Sequence, residues 1–119
     1  MSELRTGTDL IPAARKEGDA VIVSVRGEID LQNSPELRTE LLDLLAKHTP
    51  QRLVVNLSQV PYMDSSAIAV LVELLQKARK TGGRVFLTNL QPRVKGLLEI
   101  ARLDSIFVVV ADENEALAV

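Results

Sequence analysis

The sequence predicts an α/β fold: a mixed β-sheet with an N-terminal hairpin, a parallel centre and crossover α-helices. Three observations carry that expectation. Two strand-like segments flank the turn signal Glu17-Gly18-Asp19, the pattern of a hairpin. Beyond it, short apolar runs alternate with stretches of helical spacing, which is the order of βαβ units. The chain is 119 residues with 46% hydrophobic and 25% charged content, enough for one core and too little for two, so a single domain is expected over residues 1–119.

Asp9-Leu10-Ile11-Pro12-Ala13-Ala14-Arg15 reads as a weak strand, and its proline, which cannot donate to a ladder, assigns it to a sheet edge. From Ala20 to Arg26 the side chains alternate, with Val21, Val23 and Val25 on one face and Ile22, Ser24 and Arg26 on the other. Ser34-Pro35-Glu36 opens a helix, with Ser as the cap, Pro at N1 and Glu at the positive end of the dipole. Leu37, Leu41, Leu44 and Leu45 mark its apolar face, and Pro50 bars continuation, so it should run from about Pro35 to Lys47.

Leu53-Val54-Val55-Asn56-Leu57 is almost wholly apolar, as expected of a central strand covered on both faces. Asp64-Ser65-Ser66 supplies caps for a second helix that stays apolar from Ala67 to Leu75 and stops at Gly82-Gly83. Arg84 to Thr88 is a strand. Pro92 starts a helix with Val94, Leu97, Leu98 and Ala101 on one side, and Ile106 to Val110 is a further strand. Asp112 with Glu115 makes a capping-box-like start for a terminal helix ending in Leu117 and Val119.

Composition excludes several function classes. Net charge is -2, which argues against nucleic acid as a partner; the cluster Lys77, Arg79, Lys80 and Arg84 reads as a solvated helix end. There is no cysteine and one histidine, so no metal site is expected. Nucleotide-binding glycine motifs and the Gly-x-Ser-x-Gly elbow are missing, and no cofactor is implied. No apolar run approaches the ~20 residues of a membrane helix, and Met1-Ser2-Glu3-Leu4-Arg5 is no leader, which points to a cytoplasmic protein without direct membrane insertion.

In open parallel sheets, function collects beyond the strands' carboxyl ends. The loops there carry Asp30, the Tyr62 to Ser66 segment and Asn89, so Asp30 and Asn89 are expected to flank the serines. Asp30 with Asp64 is the one carboxylate pair that this topology brings to a common edge; capping by Asp64 is the simpler account, and catalysis by the pair ranks last. His48, at a helix end before Pro50, reads as a C-terminal cap without a catalytic role. In the second helix only Glu73 is polar between Ala67 and Leu75. Core packing explains part of that breadth, and the remainder suits a protein partner, with Ala67 and Ala69 permitting close approach. Ile68, Val72 and Leu75 share one side, for which core packing is the favoured account. Ser65 and Ser66 stand where free amides and the helix dipole favour added negative charge. Taken alone, they are also ordinary capping residues.

Val60-Pro61-Tyr62-Met63-Asp64-Ser65-Ser66-Ala67-Ile68-Ala69-Val70-Leu71 closely resembles the phosphoacceptor segment of anti-sigma-factor antagonists (anti-anti-sigma factors), single STAS domains of bacterial regulation. Val25-Arg26-Gly27-Glu28-Ile29-Asp30 and Leu53 to Ser58 resemble two of that family's strands; Gly82-Gly83-Arg84-Val85 and Val94 to Leu103 match in placement. The resemblance implies a STAS fold and a non-enzymatic partner switch. The unphosphorylated antagonist binds an anti-sigma factor with serine kinase activity and frees the sigma factor; phosphorylation ends the interaction, and a serine phosphatase restores it. By position the acceptor is Ser65, with Ser66 second, and the partner-binding surface comprises Asp30, Asp64, Ser65, Ser66, Ala67, Ile68 and Asn89. The sequence departs from the family's usual pattern at Ala67, where Gly is common. The alternative that the resemblance allows is a STAS subunit docking on a membrane lipid or anion transporter, without phosphorylation.

Overall fold

The structure, a computed structural model, describes residues 2–119. In chain order it contains β1 (Ser2–Glu3), β2 (Ala13–Glu17), β3 (Ala20–Arg26), α1 (Ser34–His48), β4 (Arg52–Gln59), α2 (Ser65–Lys80), β5 (Arg84–Thr88), α3 (Pro92–Ile100), β6 (Val108–Val110) and α4 (Glu113–Ala118). The strands form one sheet in the order β1-β2-β3-β4-β5-β6. β1, β2 and β3 are antiparallel neighbours, and β3 to β6 run parallel. This is the mixed sheet with a parallel centre that the alternation predicts.

Two details of the N-terminal segment differ from the expectation. Asp9-Leu10 is a turn and the strand begins only at Ala13, because Pro12 stands outside the ladder rather than at its edge. β2 is not an edge strand either: Ser2 and Glu3 pair with Lys16 and Arg15 on its outer side. At the start of α1 the cap is Asn33, with no side-chain cap bond, while Ser34 is the first helical residue and buried. On α3, Val94 and Leu98 are fully buried and Leu97 partly so, but Ala101 is the exposed C-cap. β6 is shorter than expected, because the chain at Ser105 and Ile106 is still in the turn that leaves α3.

The larger core lies on one sheet face. Val21, Val23 and Val25, Leu53, Val55 and Leu57, and Val85 and Leu87 meet the apolar faces of α1, α2 and α3. The other face carries a smaller cluster of Ala20, Ile22, Val54, Phe86 and Ala116, covered by α4. The strict alternation of β3 therefore distinguishes a large core from a small one, since Ile22 is as buried as its valine neighbours. Each fully buried Leu or Ile contributes roughly 1.5–3 kcal/mol relative to exposure.

α2 follows the central strand and is flanked on the same face by its two neighbouring crossovers. Ala67, Ile68, Val70, Leu71, Leu74, Leu75 and Ala78 are all buried, and Val72 is half-buried against the same core. Its broad apolar surface is thus mostly core, and Ala69 is the small apolar residue left exposed near its start. Glu73 faces α1, where Arg38 donates to both carboxylate oxygens at 2.6 and 2.7 Å. That pairing holds the Glu73 carboxyl below its ordinary range.

Candidate functional site

The site is set by how the chain leaves β3. Gly27 adopts φ 92°, a left-handed conformation open to glycine, and the register of the β3–β4 ladder shifts just before it. The chain then re-pairs with the segment after β4. Ile29 N–H donates to Tyr62 O and Asp64 N–H donates to Ile29 O, both at 3.0 Å, around an isolated parallel bridge between Ile29 and Met63. Ile29 and Met63 are buried, so this pairing fixes the Asp30 loop beside the start of α2.

Asp64 caps that helix. Its carboxylate accepts from the Ser66 N–H at 2.9 Å, the Ser66 hydroxyl at 2.5 Å and the Ala67 N–H at 3.4 Å. The Ser66 hydroxyl is the main reason the Asp64 carboxyl titrates below its ordinary value. Asp64 therefore stays ionised near neutrality, the opposite of a carboxyl poised to donate a proton. Asp30 is engaged in its own loop, accepting from the amides of Gln32 at 2.9 Å and Asn33 at 3.3 Å. Each carboxylate of the expected pair thus organises its own turn.

The two serines differ. Ser66 is half-buried with its hydroxyl committed to Asp64, whereas Ser65 is exposed. Ala67 is 1% exposed and Ile68 9%, so both support the helix start from below instead of presenting a surface. The Ala67 methyl is part of the larger core.

Ser65 borders a shallow depression of about 390 Å³ lined by Tyr62, Met63, Asp64, Arg93, Gly96, Leu97 and Ile100. The Arg93 guanidinium lies over the Tyr62 ring at 4.9 Å. Ile100 is 83% exposed at the rim and Leu31, next to Asp30, is 75% exposed. Periodicity within the sequence does not mark Ile100 as a neighbour of the exposed serine. The available signal is that it lies off the Val94–Leu98 stripe of its own helix.

Asn89 lies at the same sheet end but borders a separate polar depression, with Asn56, Asp112, Glu113 and Asn114. Its φ of 57° is one that Asn tolerates, and its N–H donates to Ala111 O at 3.2 Å. Strand order predicts the edge that Asn89 occupies but not the side of the sheet. Among the described residues no group of three or more His, Cys, Asp and Glu is arranged to hold a metal ion. Among the described residues no helix is long and apolar enough to cross a membrane.

The anti-sigma-B factor antagonist of Bacillus subtilis is 33% identical over 101 residues, covering 85% of this chain and 90% of that protein. A crystal structure of an anti-sigma factor antagonist from Mycobacterium paratuberculosis superposes with a TM-score of 0.81 at 25% identity, covering 96% of this chain and 97% of the other. The Bacillus cell fate determinant SpoIIAA, solved in its phosphorylated form, shares the fold with a TM-score of 0.69 at 19% identity, over 88% of this chain and 95% of that one. The model of the STAS domain matches residues 12–116, nearly the whole chain, and the chain belongs to the STAS-domain family.

Proposed function

We propose that this protein is an anti-sigma-factor antagonist that switches partners through phosphorylation of Ser65. The observation that carries the reading is the unequal state of the two serines at the start of α2: Ser66 is tied to the capping carboxylate and Ser65 is exposed. Unphosphorylated, the surface around Ser65 binds an anti-sigma factor with serine kinase activity and the sigma factor is released. Asp64 and Ser66 set the backbone of that surface, Ala67 and Ile68 support it from the core, the Asp30 loop with Leu31 borders it, and Asn89 extends the same sheet end. The kinase transfers a phosphoryl group to the Ser65 hydroxyl, and a serine phosphatase removes it.

Phosphate adds roughly −1.5 to −2 charge. At a helix N-terminus the free amides and the dipole offset part of that charge within the domain. A partner lacking a matching cation meets the remainder at the contact's edge. A penalty of about 3 kcal/mol weakens binding roughly a hundredfold, enough to exchange partners at fixed concentrations. The transporter-docking alternative gives the exposed serine no task.

The acceptor is tested by incubating wild type, Ser65→Ala and Ser66→Ala with the cognate kinase and ATP, followed by site-resolved mass spectrometry. Phosphate is expected on Ser65 in wild type and Ser66→Ala, and none on Ser65→Ala. A phosphate persisting on Ser65→Ala would refute the assignment.

A further inference from the structure

Arg93 is the one cationic side chain in the lining of the depression that Ser65 borders. Among the described residues it has no ion pair and no side-chain hydrogen bond, unlike Arg15 and Arg38, which carboxylates hold. It rests on the Tyr62 ring in the depression that Ser65 borders. A cation–π contact at an exposed site is worth about 0.5–1 kcal/mol, while a guanidinium facing a phosphate forms charge-assisted, often bidentate hydrogen bonds that are considerably stronger.

Asp64 is the other charged residue in the lining. Its carboxylate is occupied by Ser66 and Ala67, and Arg93 makes no ion pair with it. Gly96 lies in the middle of α3 where a Cβ would meet nothing within 4 Å. An alanine would fit there and stabilise the helix by roughly 1 kcal/mol; glycine instead keeps the depression open.

We propose that Arg93 is the intramolecular receptor for the Ser65 phosphate. In the unmodified protein the guanidinium lies on Tyr62 and the depression between α3 and the start of α2 is available to a partner. When Ser65 carries phosphate, Arg93 leaves the ring and pairs with it, so that side chain and phosphate together fill the depression. The off state is then both an added charge and a changed shape, made by one side-chain movement without refolding. The proposal rests on Ser65 being the modified residue, and it is a statement about contacts inside this chain alone.

The test requires no kinase and no partner, so its outcome is independent of whether Ser65 is the kinase's target. Phosphoserine is installed at position 65 by genetic code expansion in wild type, Arg93→Gln and Arg93→Lys, and the second phosphate ionisation is followed by phosphorus NMR. In wild type it should fall at lower pH than in Arg93→Gln by about half a pH unit or more, since a neighbouring cation favours the dianion. Arg93→Lys should recover part of the difference. The Tyr62 ring resonances should shift more on phosphorylation in wild type, where the guanidinium leaves the ring, than in Arg93→Gln. Equal titration of the wild-type and Arg93→Gln phosphoproteins, or Tyr62 resonances indifferent to the phosphate, would overturn the proposal.

Discussion

At Asp64 a single carboxylate closes the first turn of α2 and also decides which serine is available. By binding the Ser66 hydroxyl at 2.5 Å it removes that group from the surface, and Ser65 is left as the exposed one. Asp64→Ala should lower Tm by about a few degrees, the usual loss for an N-cap, and should free the Ser66 hydroxyl. Because the Ser66 hydroxyl is the main cause of the lowered Asp64 titration, Ser66→Ala should move the Asp64 carboxyl back up toward its ordinary value, as read by carbon-detected NMR titration. The sign for stability follows: a carboxyl depressed in the folded state stabilises the protein above its unfolded value and loses that contribution as pH falls through its folded one. The stability gap between wild type and Asp64→Asn should therefore be widest near neutrality and close in acid.

Among the elements, α2 and α4 are held to the sheet by different physics. α2 is held by aliphatic residues of the larger core, with Leu74 fully buried, so Leu74→Ala should cost about 2–5 kcal/mol in denaturant unfolding. Val72, half-buried against the same core, separates two roles. Val72→Asp should lower Tm, because a charge is forced against apolar neighbours; an unchanged Tm with lost partner binding would place Val72 on the docking face instead. The six-residue α4 has a small apolar contact at Ala116 and several polar ones. Glu113 accepts from Arg15 at 2.8 Å and from Asn56 at 2.7 Å, and Arg52 donates to Leu117 O at 2.6 Å. Burial pushes the Glu113 carboxyl upward, but the hydrogen bonds from Asn56 and Arg15 outweigh it and the net direction is down. Its contribution is present above the ordinary carboxylate range and is lost as pH falls through the lowered folded value. In acid α4 should loosen first, visible as early amide exchange at Ala116, and Glu113→Gln should show that loosening already at neutral pH.

For the whole molecule, the sheet's composition and order were readable because each parallel strand and crossover helix carries its own period and its own stops, as in Leu53 to Leu57 and Pro50. The two-residue strand Ser2–Glu3 has no period to read, and Pro12, which argues for an edge, lies just outside the ladder of β2 and so does not constrain it. At the site, Asp64-Ser65-Ser66 was legible because capping is local chemistry. The Arg93–Tyr62 contact was not, since it joins a loop to a helix about thirty residues away and depends on how α3 packs. Asn89 illustrates the same limit: topology gives its end of the sheet, while the face is decided by the path into β6 and α4. The broad apolar surface of α2 is mostly core, as favoured for Ile68, Val72 and Leu75, because the helix lies on the sheet beside α1 and buries more than one stripe.

The central claim, that phosphate on Ser65 switches off binding of an anti-sigma factor, is tested most directly by calorimetry. The unmodified chain and the chain carrying phosphoserine at position 65 are each titrated into the serine-kinase anti-sigma factor of the source organism, without ATP. The account predicts tight binding of the first and a Kd about a hundredfold weaker for the second, with equal Tm for both chains. Equal affinities for the two forms, or no binding by the unmodified chain, would contradict it.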